Sequence, residues 1–177
     1  MRLVRIAILI SLTLALCVVI ACKEAVEPEQ DEDDVVIYFN SFESPADTAG
    51  WWGYGDVEFR TDTPPQGGNQ SLFVSGTCIV PHFRLDLLPA DEERYLKLRC
   101  WGKNLAFGGG VSLSWFNEEG ERLSYIDIYI SDSVWTAYET EDTLLCPANE
   151  TPTLNLNAGG IVYSAMLVDL VEVIRIK

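Results

Sequence analysis

From Val35 to Lys177 the sequence is a succession of short runs rich in Val, Ile, Phe, Tyr, Trp and Thr, broken by Gly, Pro, Asn and Asp. That punctuation leaves little room for helices. Strands are expected near 35–40, 56–60, 71–78, 80–88, 94–103, 110–117, 122–131, 134–146, 152–158 and 164–176. Pro64 to Asn69 cannot lie inside a strand, and Asn117 to Gly120 between two alternating runs reads as a hairpin turn. No helical stripe of useful length follows residue 35; Leu88 to Glu93 has room for one short turn. About ten short strands at this spacing predict an all-β fold, a two-sheet antiparallel β-sandwich.

Alternation then assigns faces. Leu96, Leu98 and Cys100 share one side of their strand, with Tyr95, Lys97, Arg99, Trp101 and Lys103 on the other. Ile126, Ile128 and Ile130 oppose Tyr125, Asp127 and Tyr129, and Leu154 and Leu156 oppose Thr153, Asn155 and Asn157. The aliphatic sets belong in the core. The outward set is unusual: Trp, Tyr, Arg, Asp and Asn in place of the Lys, Glu, Thr and Ser of a merely solvated face. A pyranose ring offers C–H patches that flat aromatic rings cover, and hydroxyl pairs that Asn, Asp and Arg bond in planar fashion. Trp101, Tyr125 and Tyr129 answer the first need, and Arg99, Asp127, Asn155 and Asn157 the second. The competing explanation is that aromatics are good strand residues that pair across strands.

The amino end reads as an address. Arg2 and Arg5 precede an apolar run to Ala21, shorter than the roughly 20 residues of a spanning helix, as in a secretory signal. Val19-Ile20-Ala21-Cys22 looks like a bacterial lipobox, so residues 1–21 are expected to be removed and Cys22 lipidated. Several acyl chains on one cysteine give stable membrane anchoring. By resemblance to other lipoproteins, Lys23 after the cysteine favours the outer membrane or cell surface. Residues 22–34 then form an acidic linker with too little apolar surface to fold, leaving 35–177 as the folded domain.

Charge and scarce residue types exclude other classes. Asp plus Glu number 27 against 12 Lys plus Arg, a net charge of −15 that repels nucleic acid. One histidine, His82, excludes multi-histidine metal sites. Cys78, Cys100 and Cys146 remain in the folded part; export permits a disulfide, and buried free thiols are the alternative.

Tyr38-Phe39-Asn40-Ser41-Phe42-Glu43 is similar to the opening of carbohydrate-binding modules of the family 4 and 9 type, and further pieces follow in order. Gly68 to Val74 resembles their "G-x-x-S-L-x-V" strand, Tyr95 to Lys103 their "Y-x-L-S-x-W-V-K" strand, Leu113 to Gly120 their "F-x-D-x-x-G" hairpin, and Val168 to Val173 their closing strand. The resemblance implies a galactose-binding-like jelly roll with its ligand on the concave face or at loops along one edge. It also implies a structural calcium held by Glu43 and Asp169, whose hard oxygens suit that ion; Leu170 stands where the family usually has a second aspartate. Trp135 sits where these domains place a core tryptophan. In Gly50-Trp51-Trp52-Gly53-Tyr54-Gly55, Trp51 is expected to pack inward, with Trp52 and Tyr54 as ligand candidates. Trp115 shares parity with Val111 and Leu113 and belongs in the core, and Phe107 with Gly108 to Gly110 reads as a flexible turn.

The reading is a membrane-anchored lipoprotein that binds a polysaccharide or oligosaccharide without catalysis. The alternative is a structural or protein-interaction module of a cell-envelope assembly. A glycosidase would need a second carboxyl near Asp127, roughly 5–10 Å away.

Overall fold

The structure is a computed structural model, and it describes residues 34–76, 82–117, 119–158 and 163–176. The signal segment, Cys22, nearly all of the acidic linker, and Cys78 lie outside the described residues. The strands are β1 (Val35–Asn40), β2 (Trp52–Tyr54), β3 (Asp56–Arg60), β4 (Ser71–Gly76), β5 (His82–Asp86), β6 (Arg94–Ala106), β7 (Gly109–Phe116), β8 (Arg122–Ile130), β9 (Thr136–Glu139), β10 (Leu144–Cys146), β11 (Thr153–Asn157) and β12 (Ser164–Ile176). All pairings between them are antiparallel. One sheet has seven strands: β10-β6-β12-β4-β3, with β1 also on β12 and β9 also on β6. The other has five, in the order β2-β5-β11-β7-β8. The fold is a two-sheet antiparallel β-sandwich, a jelly roll.

The expected strands form, with three differences. The run at 134–146 breaks into β9 and β10. The short β2 was not expected, because Trp52-Gly53-Tyr54 is too brief to show a period. The only helical turn among the described residues is a 3₁₀ turn at Pro45–Thr48, not at Leu88–Glu93. There Asp47 Oδ2 accepts the Ser44 backbone N–H at 2.8 Å, closing the turn.

The core lies between the sheets. Leu72, Val74, Leu96, Leu98 and Cys100 of the larger sheet meet Val111, Leu113, Ile126, Ile128, Ile130, Leu154 and Leu156 of the smaller, all buried. Each such aliphatic side chain contributes about 1.5–3 kcal/mol on leaving water. Gly102 continues the inward side of β6, and Ile130 fills the space a side chain there would need; a Cβ would stand 2.6 Å from Ile130 Cδ1. Trp51 packs inward, stacked on Phe83 at 4.9 Å and tilted against Phe42 at 5.9 Å. Trp115 is half-buried against the same core.

Trp135 is not in this core. It packs on the outer face of the seven-stranded sheet against a separate cluster of Phe73, Ala165 and Leu167. Its Nε1 donates to Asp62 Oδ1 at 2.8 Å, and Lys103 Nζ donates to Asp62 Oδ2 at 2.6 Å. Phe73 and Leu167 alternate with core residues on β4 and β12, so a second apolar stripe faces outward and the loop before β9 covers it. Part of the larger sheet's outer face is thereby closed.

Candidate functional site

The outer face of the five-stranded sheet carries one unbroken cross-strand row. Trp52 lies opposite Arg84, Arg84 opposite Asn155, Asn155 opposite Ser112, and Ser112 opposite Asp127. Their neighbours along each strand point into the core, so the alternation turns this row outward. Two rows flank it. In one, Asp86, Thr153, Ser114 and Tyr125 are successive partners, and Thr153 Oγ1 donates to Asp86 Oδ1 at 2.8 Å. In the other, Asn157 stands beside Gly110 and Gly110 beside Tyr129. Five of the expected ligand residues, Tyr125, Asp127, Tyr129, Asn155 and Asn157, therefore share one face with Trp52.

Within this face the side chains differ in depth. Tyr125, Tyr129 and Trp52 are half exposed. Asn155 is buried, its amide donating to the Thr153 carbonyl at 3.3 Å, so it forms floor rather than rim. Asn157, Ser112, Asp127, Tyr129, Tyr125 and Arg122 surround a depression of about 220 Å³. The absence of a side chain at Gly110 leaves its floor low. Tyr54 pairs through its backbone with His82, and its side chain lies outside the described residues.

Tyr129 is held at the rim. Its hydroxyl donates to the Phe107 carbonyl at 3.3 Å, and its ring lies so close over Gly108 that a Cβ there would strike the hydroxyl. Gly108 has a φ of +78°, and its N–H donates to Asn104 Oδ1 at 2.9 Å. Phe107 itself has a φ of +53° and is 74% exposed. The turn expected to be flexible is thus tied to Asn104 and Tyr129, and it presents an aromatic ring beside the depression.

Arg99 and Trp101 are not part of this face. They lie on β6, outward from the seven-stranded sheet on the opposite side of the sandwich. Parity separates inward from outward within a strand, but it does not say which sheet a strand joins. Arg99 is occupied: its guanidinium bonds Glu139 at 3.0 Å and Glu172 at 3.3 Å. A single trough holding Trp101 with Tyr125 and Tyr129 does not exist.

Asp127 and the backbone of β8 also border a larger cleft of about 710 Å³, with Tyr138, Glu139, Glu141 and Asp142 across it. It opens between the free edge of β8 and the β9–β10 connection. Glu139 is held by Arg99 and by Lys97 at 3.6 Å.

Glu43, just after β1, and Asp169, within β12, come together beneath Gly67 and Gly68. Glu43 Oε2 accepts the Asn69 N–H at 2.8 Å and Asp169 Oδ1 the Leu170 N–H at 2.7 Å. Their other oxygens, Glu43 Oε1 and Asp169 Oδ2, are buried without a partner. Side chains at Gly67 and Gly68 would overlap Asp169 and Glu43 respectively, so only this glycine pair lets the loop close over both carboxylates. Phe42 and Leu170, the residues flanking the two acids, both have a φ of +47°, a strained conformation for such side chains. Burial pushes the Asp169 carboxyl up to about 7; the Leu170 N–H pulls the other way, and the charge of Glu43 adds to the rise. Two orphaned oxygens in one tight cradle fit a divalent cation of the hard type.

No protein-family model and no curated protein matches the chain. Solved structures do. The CBM22-1 xylan-binding domain of Paenibacillus barcinonensis Xyn10C superposes with a TM-score of 0.59 at 16% identity, over 82% of this chain and 97% of that one. The fold is shared with carbohydrate-binding modules. The family 11 module of Clostridium thermocellum Lic26A-Cel5E matches at 0.53 and 15% identity, over 81% and 94%. A family 16 module matches at 0.52 and 18%, over 71% and 91%. These three belong to families 22, 11 and 16, none of them of the 4 and 9 type, and what the chain shares with them is the jelly-roll fold.

Proposed function

We propose that the chain is a non-catalytic glycan-binding protein whose ligand lies on the outer face of the five-stranded sheet. The observation that carries this reading is the row Trp52–Arg84–Asn155–Ser112–Asp127 beside the exposed rings of Tyr125 and Tyr129. An open face with rings at its rim and amide, hydroxyl and carboxylate groups between them matches the mixed C–H and hydroxyl surface of a sugar chain. The row crosses the strands, and a bound polysaccharide would follow it. The xylan-binding module of the same fold supports the ligand class.

Glu43 and Asp169 would hold a calcium ion. Its charge would balance two buried carboxylates and fix the Gly67–Gly68 loop, which is a structural role. Residues 1–21 would be a signal peptide and Cys22 the lipid-bearing residue, tethering the sandwich to the cell envelope through the acidic linker.

A glycan-array and isothermal-titration screen tests the reading. Retention of at least one polysaccharide, with no release of reducing ends on long incubation, is expected. A folded protein that binds none would overturn it in favour of an envelope-assembly module.

A further inference from the structure

The five-stranded face differs from the rest of the molecule in how its cations are used. Carboxylates outnumber Lys and Arg 27 to 12, so an acidic partner is rarely far from any cation. Arg60, Lys97, Arg99, Lys103 and Arg175 are all ion-paired, and Arg94 donates to the Leu88 carbonyl at 2.6 Å. Arg84 and Arg122 are the exceptions among the described residues. Each instead lies on an aromatic ring, Arg84 at 5.3 Å from the Trp52 centroid and Arg122 at 4.0 Å from that of Tyr125. The Nε of Arg84 is buried with no acceptor. Asp86 is engaged by the Thr153 hydroxyl, and Asp127, though it lines the same depression as Arg122, makes no ion pair with it.

A cation–π contact occupies the face of a guanidinium and not its N–H groups, and the terminal pair of these forms the fork that a carboxylate meets with two parallel bonds. We propose that this face selects glycans bearing carboxylates, that is polysaccharides containing uronic acids, with Arg84 and Arg122 each receiving one carboxylate. The inference rests on the glycan-binding reading and names the ligand class within it. The two arginines belong to β5 and β8, three strand spacings apart, about 14 Å across the sheet. A chain of several sugar residues is therefore needed to reach both, and the two contacts reinforce one another once it is bound. The remaining surface charge repels such a polymer, which makes the local pair of cations decisive and the interaction sensitive to salt.

The test uses matched probes: polygalacturonate against its fully methyl-esterified form, and glucuronoxylan against the same polymer after carboxyl reduction. Titration calorimetry of the protein should show the carboxylated member of at least one pair binding about tenfold or more tightly. R84Q and R122Q should each remove part of that preference, and the double variant all of it, so that its affinities for the two members of each pair converge. If a glutamine variant fails to fold, R84K and R122K keep the charge without the fork and should retain only part of the preference. Equal affinity for both members of every pair would overturn the proposal and leave the glycan-binding reading standing. Binding to no glycan of any kind would overturn both.

Discussion

Glu43 and Asp169 stand at opposite ends of the folded chain, yet each buries one unpaired carboxylate oxygen beneath the same two glycines, Gly67 and Gly68. Without a cation this arrangement is a liability, since like charges out of water repel strongly. D169N should therefore be more stable than wild type in the presence of a chelator and less stable in millimolar calcium. A cation at 100 times its dissociation constant adds about 2.7 kcal/mol, several degrees of melting temperature. Thermal unfolding of both proteins with calcium and with chelator checks this. Parallel curves for wild type in the two conditions would contradict it.

Phe107 presents an exposed ring beside Tyr129, fixed by the bond from the Tyr129 hydroxyl to its carbonyl. Such a ring can cover one further sugar beyond the depression. F107A should weaken binding of long oligosaccharides by about 0.5–1.5 kcal/mol, several-fold in affinity, and leave the shortest binding ones unchanged. Titrations across a length series measure the difference.

Asp62 is held below its ordinary range, first by the Lys103 hydrogen bond and also by the Trp135 indole, while partial burial acts against both. A carboxylate whose pKa is lower in the folded state stabilises above its unfolded value of 3.8 and ceases to do so as the pH falls through the folded value. The melting-temperature difference between wild type and D62N should be constant above about pH 5 and shrink below pH 4. The side chain is 47% exposed, so solvent screening keeps the difference small. Trp135 emission should change over the same acid range in wild type only.

Burial pushes the Cys100 thiol up to about 12, and both Cys100 and Cys146 are free. Iodoacetamide at pH 8 should leave Cys100 unmodified in the native protein and alkylate it in guanidinium, as read by peptide mass spectrometry.

The core was legible because a period of two carries over directly: Leu96, Leu98, Ile126, Ile128, Leu154 and Leu156 all point inward as their alternation requires. Sheet membership was not. Trp101 and Tyr125 have the same outward parity, and only the pairing of β6 with β12, and of β8 with β7, puts them on opposite sides. Arg84 sits among Phe83, Leu85 and Asp86 in a run whose outward members carry no aromatic signal, so nothing in the sequence marks it as part of a ligand face. Arg122 was hidden differently. A register shift near Phe116 disturbs the end of β8, where simple alternation from Tyr125 no longer tells where a side chain goes. The Glu43–Asp169 pair came from motif position alone; the glycine pair Gly67-Gly68 was visible as a turn, but nothing local said what it closes over.

The location of the ligand face is tested most directly by comparing W101A with Y129A for one retained polysaccharide. The sandwich places Tyr129 at the rim of the five-stranded face and Trp101 on the far side. Y129A should lose about tenfold in affinity with its melting temperature little changed, and W101A should bind as wild type does. Loss of binding in W101A with Y129A unaffected would contradict the account.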